Sequence, residues 1–215
     1  MKINIKNIKV RSICATLFIS LFLSCNNSGG ELKGDEVAKS TDIVPNLKEI
    51  SEKIKKASDF AQSVKEIETL VKSIDELAKA IGKKVDASGI NTEADKNDSL
   101  VAGVFQIIAD LKTKLTAMEA QKVNVSDDLK GKIIAAKKIS DDFLTKVKSQ
   151  HNNLGQSAEA PKAIKKDNVD NTKGAKELAD LNTAIDVLLK GANTAVESAI
   201  EELTRPTKRE VTSKS

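Results

Sequence analysis

The sequence predicts an all-α fold: an elongated bundle of four long helices plus one short helix, assembled as a homodimer. Aliphatic residues recur at spacings of three and four along four separate stretches, the period of helices with one buried face. Rings make up 2% of the chain, with no Trp, no Tyr and 5 Phe, and Ala, Leu, Ile, Val, Lys, Glu and Asp dominate, which favours helices over a β-sandwich. The connections are short and rich in Gly, Asp and Asn, so successive helices run up and down.

The chain opens on Lys2, Lys6, Lys9 and Arg11 with no acidic residue among them, then the apolar run Leu17–Leu23. That run is too short to span a membrane comfortably and ends in small Ser24 before Cys25, the pattern of a signal peptide over 1–24 read by a lipoprotein-processing system. In that chemistry the Cys25 thiol accepts a diacylglyceryl group, the Ser24–Cys25 bond is cut, and the freed amine is acylated. Phe22 stands where a strict lipobox has Leu, so a looser lipobox is implied. The bland alternative is a plain secretory signal in which Cys25 is incidental.

Removing 1–24 changes the electrostatics. The precursor carries 35 basic and 31 acidic residues, and the four basic residues of the leader account for the whole difference. The mature chain is formally neutral, which leaves no electrostatic case for nucleic acid. Cys14 leaves with the leader and Cys25 is the lipid acceptor, so the body has no thiol or disulfide and its stability must come from its core. No cofactor is expected beyond the covalent lipid on Cys25, an S-diacylglycerol and an N-acyl chain.

Residues 25–45 read as a flexible tether, because Gly29, Gly30, Gly34 and Pro45 interrupt any period. A domain follows over 46–204. Its first helix carries the stripe Leu47, Ile50, Ile54, Ala57, Phe60, Val64, Ile67, Val71, Ile74, Ala78 and Ile81, with Asn46 as N-cap and Gly82 as C′ residue. The pairs Glu49/Lys53, Glu52/Lys56, Glu68/Lys72 and Asp75/Lys79 have the favourable i,i+4 order. Residues 82–97 form a polar connection in which Val85 and Ile90 leave room for a small two-stranded flap. A second helix is capped by Asn97 or Asp98 and buries Leu100, Val101, Val104, Ile107, Ile108, Leu111, Leu115 and Met118. Ser126, followed by Asp127 and Asp128, opens a third with Leu129, Ile133, Ala136, Ile139, Phe143 and Val147 inward. The loop 155–171 holds one short helix opened by Pro161. The last helix spans Thr172 to Thr204 and buries Leu178, Leu181, Ile185, Leu188, Ala192, Ala195, Ala199 and Leu203. The tail 205–215 reads as disordered.

Little in this pattern carries chemistry. His151 is the only histidine, at the end of helix three, and no nucleophile, phosphate-loop or zinc motif accompanies it. Glu66 and Glu68 flank Ile67 and would line a ligand groove if a partner helix covered them; solvated or salt-paired glutamates are the plainer reading. Lys83-Lys84 and Lys165-Lys166 are basic doublets in loops, suited to a sulfated polysaccharide or a host protein. Phe60, Phe105 and Phe143 read as core. Leu70, Leu77, Leu189, Val196 and Ile200 widen the apolar faces of the first and last helices, which motivates a homodimer through them.

Several runs resemble the outer surface protein C and variable small protein family of Borrelia spirochaetes. They are Ser24-Cys25-Asn26-Asn27-Ser28-Gly29, Pro45-Asn46-Leu47-Lys48-Glu49-Ile50-Ser51, Val64-Lys65-Glu66-Ile67-Glu68, the specific Ser73-Ile74-Asp75-Glu76-Leu77-Ala78-Lys79-Ala80-Ile81-Gly82-Lys83-Lys84, and Thr172-Lys173-Gly174-Ala175. The likeness spans Cys25 to about Thr204. It implies a non-enzymatic, lipid-anchored, surface-exposed lipoprotein of the cell outer membrane, a dimeric bundle with variable loops facing host antibodies. Some members have a cysteine in the third helix where this chain has Ile139, so the resemblance implies no disulfide-linked dimer. The tail lacks the proline- and lysine-rich ending of the outer surface protein C branch, which favours the variable small protein branch and a role in antigenic variation. Two other functions compete: an adhesin for a host protein or glycosaminoglycan, and a periplasmic structural lipoprotein.

Overall fold

Four apolar stripes become four long helices in the computed structural model, which describes residues 43–120 and 126–204. The expected leader, nearly all of the expected tether and the expected tail lie outside the described residues. The elements are α1 (Ile43–Ala78), β1 (Lys83–Asp86), β2 (Gly89–Thr92), α2 (Asp98–Ala120), α3 (Asp127–Ser149), α4 (Ala160–Ile164) and α5 (Ala175–Thr204). The all-α class, the short helix at Pro161 and the flap are as the sequence predicts.

Helix α5 packs along both α1 and α3, and α2 packs on α3 and α1. Ion pairs fix the directions. Lys53 meets Glu202 at 3.0 Å and Lys72 meets Asp186 at 3.6 Å, so α1 and α5 are antiparallel. Lys112 pairs with Asp141 and Lys137 with Glu119, so α2 and α3 are antiparallel as well. Among the i,i+4 pairs expected along α1, Glu68/Lys72 forms. Lys53 instead reaches Glu202, Asp75 takes Lys166 from the far connection, and Lys79 takes Glu76. For Lys53 and Asp75 the partner comes from another part of the fold, which the local spacing does not reveal.

The main core contains Val64, Ile67, Val71 and Ile74 of α1, Val104, Ile108 and Leu111 of α2, Ile133 and Phe143 of α3, and Leu178, Leu181, Ile185 and Leu188 of α5. Burying each such side chain contributes on the order of 1.5–3 kcal/mol. Phe60, Phe105 and Phe143 all belong to this core or pack against it. A second, small cluster consists of Ile50, Ile54 and Ala199, where α1 and α5 pair beyond the start of α3. Three expectations change in detail. The third helix turns Ser140 inward, with its hydroxyl donating to the Ala136 carbonyl at 2.9 Å, while Ile139 is only partly buried. Leu203, expected inside, is 46% exposed, and Leu47, expected on the inward stripe of the first helix, is 50% exposed.

Helix ends explain the remaining shifts. Helix α1 starts at Ile43, not after Asn46, and Pro45 falls in its first turn, where a missing N–H leaves no helix hydrogen bond unmade. It ends at Ala78 in a tightened turn, Ala80 N–H donating to the Leu77 carbonyl at 2.9 Å, and Gly82 follows with φ +71°. At α3 the Ser126 hydroxyl caps as expected, accepting from Leu129 N–H at 3.3 Å. Helix α5 begins at Ala175, three residues late, because Gly174 takes φ +142°.

Candidate functional site

Asn97 stands where the sequence places the cap of α2, and its carbonyl does accept from Val101 N–H at 2.9 Å. Its side chain goes elsewhere. Oδ1 accepts from Gly82 N–H at 2.7 Å, and Nδ2 donates to the Gly155 carbonyl at 2.8 Å, which also accepts from Asn97 N–H at 2.9 Å. The residue is only 3% exposed. A buried amide with both ends paired ties the turn after α1, the start of α2 and the connection after α3 at one point.

A second tie lies beside it. Asp95 N–H donates to Ser157 Oγ at 3.0 Å, and Ser157 N–H donates to Asp95 Oδ1 at 2.7 Å. Asp95 sits at φ +60°, a conformation Asp tolerates better than most residues. Sequence reading did not pick out Asn97 or Asp95 in this role, since Gly82 lies fifteen residues from Asn97 and Gly155 and Ser157 some sixty away, and no local spacing points to them.

Charge holds the rest of the α3–α5 connection. Glu159 pairs with Lys162 at 3.0 Å and Lys173 at 2.8 Å, and Lys162 also reaches Asp170 at 3.1 Å. Hydrogen bonds from Lys173 and Lys162 hold the Glu159 carboxyl below its ordinary range, and those from Thr172 and Lys162 do the same for Asp170. In the hairpin, Asp86 accepts from the Ser88 hydroxyl at 2.7 Å, from Ser88 N–H at 2.8 Å and from Asn91 Nδ2 at 2.8 Å. These bonds close the turn and lower the Asp86 carboxyl. Val85 and Ile90 face each other across the ladder and are 81% and 72% exposed.

The basic doublets separate. Lys83, Lys165 and Lys166, with Lys79, line one cleft of about 630 Å³ that also contains Asp75 and Asp167. Lys84 is not part of it and lies 3.8 Å from Glu93. Lys166 is neutralised by Asp75 and Lys79 by Glu76. Among the described residues Lys83 and Lys165 have no carboxylate partner.

Glu66 and Glu68 do not converge on a groove. Glu66 is exposed, whereas Glu68 is 5% exposed and pairs with Lys65 and Lys72. Two residues of separation put the carboxylates on different faces of α1. Burial pushes the Glu68 carboxyl up, but hydrogen bonds from Lys65 and Lys72 outweigh it and the carboxyl lies below its ordinary value. His151 is exposed just past α3, its Nδ1 3.0 Å from the Lys148 carbonyl oxygen. No group of three His, Cys, Asp or Glu positioned for a metal occurs among the described residues, and no helix among them is long and apolar enough to cross a membrane. A larger cleft of about 890 Å³ lies between α1, α5 and the start of α3, walled by Lys53, Phe60, Leu129 and Ala195. Ser24 and Cys25 lie outside the described residues.

Comparison with known proteins gives a consistent set of matches. A family model described as "Lipoprotein" matches residues 43–209. Variable small protein 11 of Borrelia hermsii is 47% identical over 207 residues, covering 93% of this chain and 98% of the relative. Outer surface protein C of Borreliella burgdorferi is 42% identical over 204 residues, covering 91% of this chain and 92% of the relative. Among solved structures, variable small protein 1 of Borrelia turicatae is similar with a TM-score of 0.68 at 51% identity, covering 72% of this chain and 97% of that one.

Proposed function

The chain belongs to the lipoprotein family of the variable small proteins and outer surface protein C of Borrelia, and from that premise we propose that it is a variable major antigen, exchanged among variants to evade immunity. The family is one of surface lipoproteins and antigens, not enzymes. In this reading the protein is held on the outer leaflet of the outer membrane by lipid on Cys25, after cleavage at Ser24–Cys25, and acts as a homodimer. The helices are a rigid scaffold, and the segments 82–97 and 155–171 carry the identity that antibodies read.

The observation that carries the reading is the near full-length likeness to variable small protein 11, 47% identical and covering 98% of that relative. The packing supports it, since the hairpin's outer positions are exposed while the helix stripes are closed off in the core. The test is protease added to intact cells, with a periplasmic protein as control. Loss of this protein while the control survives is expected. Survival of both would place it inside the envelope and end the antigen reading in favour of a periplasmic structural lipoprotein.

The cleft at Lys83 and Lys165 favours a second reading, an adhesin for a sulfated polysaccharide. A neutral mature chain provides no general attraction, so binding would depend on this local patch. Affinity for heparin should then fall steeply with salt and be lost in Lys165→Glu. Binding unaffected by salt would remove this reading.

A further inference from the structure

We propose that the hairpin segment 82–97 and the α3–α5 connection form one discontinuous binding surface for a protein partner, locked together by Asn97 and by the Asp95–Ser157 pair. The partner is an antibody-like protein raised on the folded chain, and the inference rests on the antigen reading given above. The two segments are far apart in sequence. Each is exposed enough to be read alone, but neither is free to move alone.

The geometry points to a single unit. Asn97 joins Gly82, at the foot of β1, to Gly155, at the start of the second segment, through hydrogen bonds of 2.7 and 2.8 Å. Asp95 and Ser157 exchange two bonds, each backbone N–H donating to the other's side-chain oxygen at 3.0 and 2.7 Å. Glu93 N–H donates to the Gly82 carbonyl at 2.8 Å, so the base of the hairpin closes onto the same junction. Lys83 and Lys165 come to one cleft from the two sides. Beyond the second tie, Glu159 with Lys162 and Lys173, and Lys162 with Asp170, carry the constraint along the connection toward α5. A footprint centred on Val85, Ile90 or Lys83 therefore has its second half placed by residues some seventy positions later. Exchange of one segment between variants changes how the other is presented.

The test uses the full chain and the double variant Asp95→Gly/Ser157→Ala. Gly accepts the positive φ of Asp95, so the variant removes both bonds of the second tie without strain; it also removes the 3.4 Å contact from Asn97 Nδ2 to Ser157 Oγ but keeps the Asn97 bonds to Gly82 and Gly155. Monoclonal antibodies are raised by immunisation with purified folded protein and assigned to the hairpin by loss of binding to Val85→Ser/Ile90→Ser. Hairpin antibodies are expected to bind the double variant about tenfold or more weakly, with helix content and thermal unfolding of the scaffold retained. Amide exchange over 83–93, read without any antibody, should quicken in the same variant. Asn97→Ala should act in the same direction and more strongly, and the double variant carries the test if Asn97→Ala does not fold. Unchanged affinity of hairpin antibodies together with unchanged exchange would overturn the proposal. The antigen reading fails separately, if sera from infected hosts do not recognise the folded protein, and that outcome leaves the coupling measurable with the immunisation antibodies.

Discussion

Glu68 shows at single-residue scale how this chain handles buried charge. A carboxylate 5% exposed would be costly alone, but Lys65 and Lys72 both donate to it and Lys72 continues to Asp186 of α5. Hydrogen bonding to Glu68 raises Lys72 above its ordinary value, the reciprocal of the lowered Glu68. Removing the carboxylate in Glu68→Ala should destabilise the domain by about 1–3 kcal/mol, the worth of hydrogen bonds to a charged group. The pH dependence has a definite sign. With its folded value below the ordinary 4.5, Glu68 contributes its full stability above that value and loses it as pH falls through the lowered one. The stability gap between the protein and Glu68→Gln, from urea unfolding at about pH 7 down to about pH 3, should therefore shrink below 4.5. A gap that stays constant across the range would mean that the carboxylate is not held by its lysines.

At the scale of elements, Gly174 sets where α5 can begin. At φ +142° an added Cβ would lie 2.9 Å from Val147 Cγ2, 3.1 Å from the Ala163 carbonyl oxygen and 3.2 Å from Phe143 Cε2. Core and backbone both resist the shift, so Gly174→Ala should cost about 1–3 kcal/mol and lower the thermal midpoint by several degrees. An unchanged midpoint would show that α5 can restart one residue earlier. Much of this architecture is legible in the sequence because helix faces repeat locally: Val64, Ile67, Val71 and Ile74 are inward as their spacing requires. Ser126 is legible as a cap for the same reason, since its partner is three residues away. What the sequence hides are pairings across the fold. Lys53 could be assigned to Glu49 by spacing, yet it bonds Glu202, and Asn97 looks like a cap while holding three segments together. The candidate site is legible only as a set of loops. Its residues converge through partners such as Asp95 with Ser157, for which a single sequence contains no spacing rule.

For the domain as a whole, the unevenness lies between the four-helix section and the α1–α5 pair beyond it. The first closes a large core, while the pair beyond buries only Ile50, Ile54 and Ala199 as a separate cluster. Two helices bury too little apolar surface to be rigid by themselves. The same section leaves Leu47 50%, Ile200 40% and Leu203 46% exposed, whereas Leu77 and Leu189, which the sequence also assigned to a dimer face, are packed against the protomer's core. Val187 of α5 and Ile134 of α3 are also exposed, at 46% and 49%, but Leu47, Ile200 and Leu203 lie together on the one section of α1 and α5 that has no third helix. A second copy laying its own α1–α5 pair on this one would complete a four-helix arrangement there. The expected outcome is a light-scattering mass of two chains at high micromolar concentration, falling to one in Ile200→Lys/Leu203→Lys with the helix content unchanged, because neither side chain supports the protomer's own core. A single-chain mass for the unsubstituted protein at that concentration would sink the homodimer, and the pair would then have to be stiffened by its charges, Lys53 with Glu202 foremost.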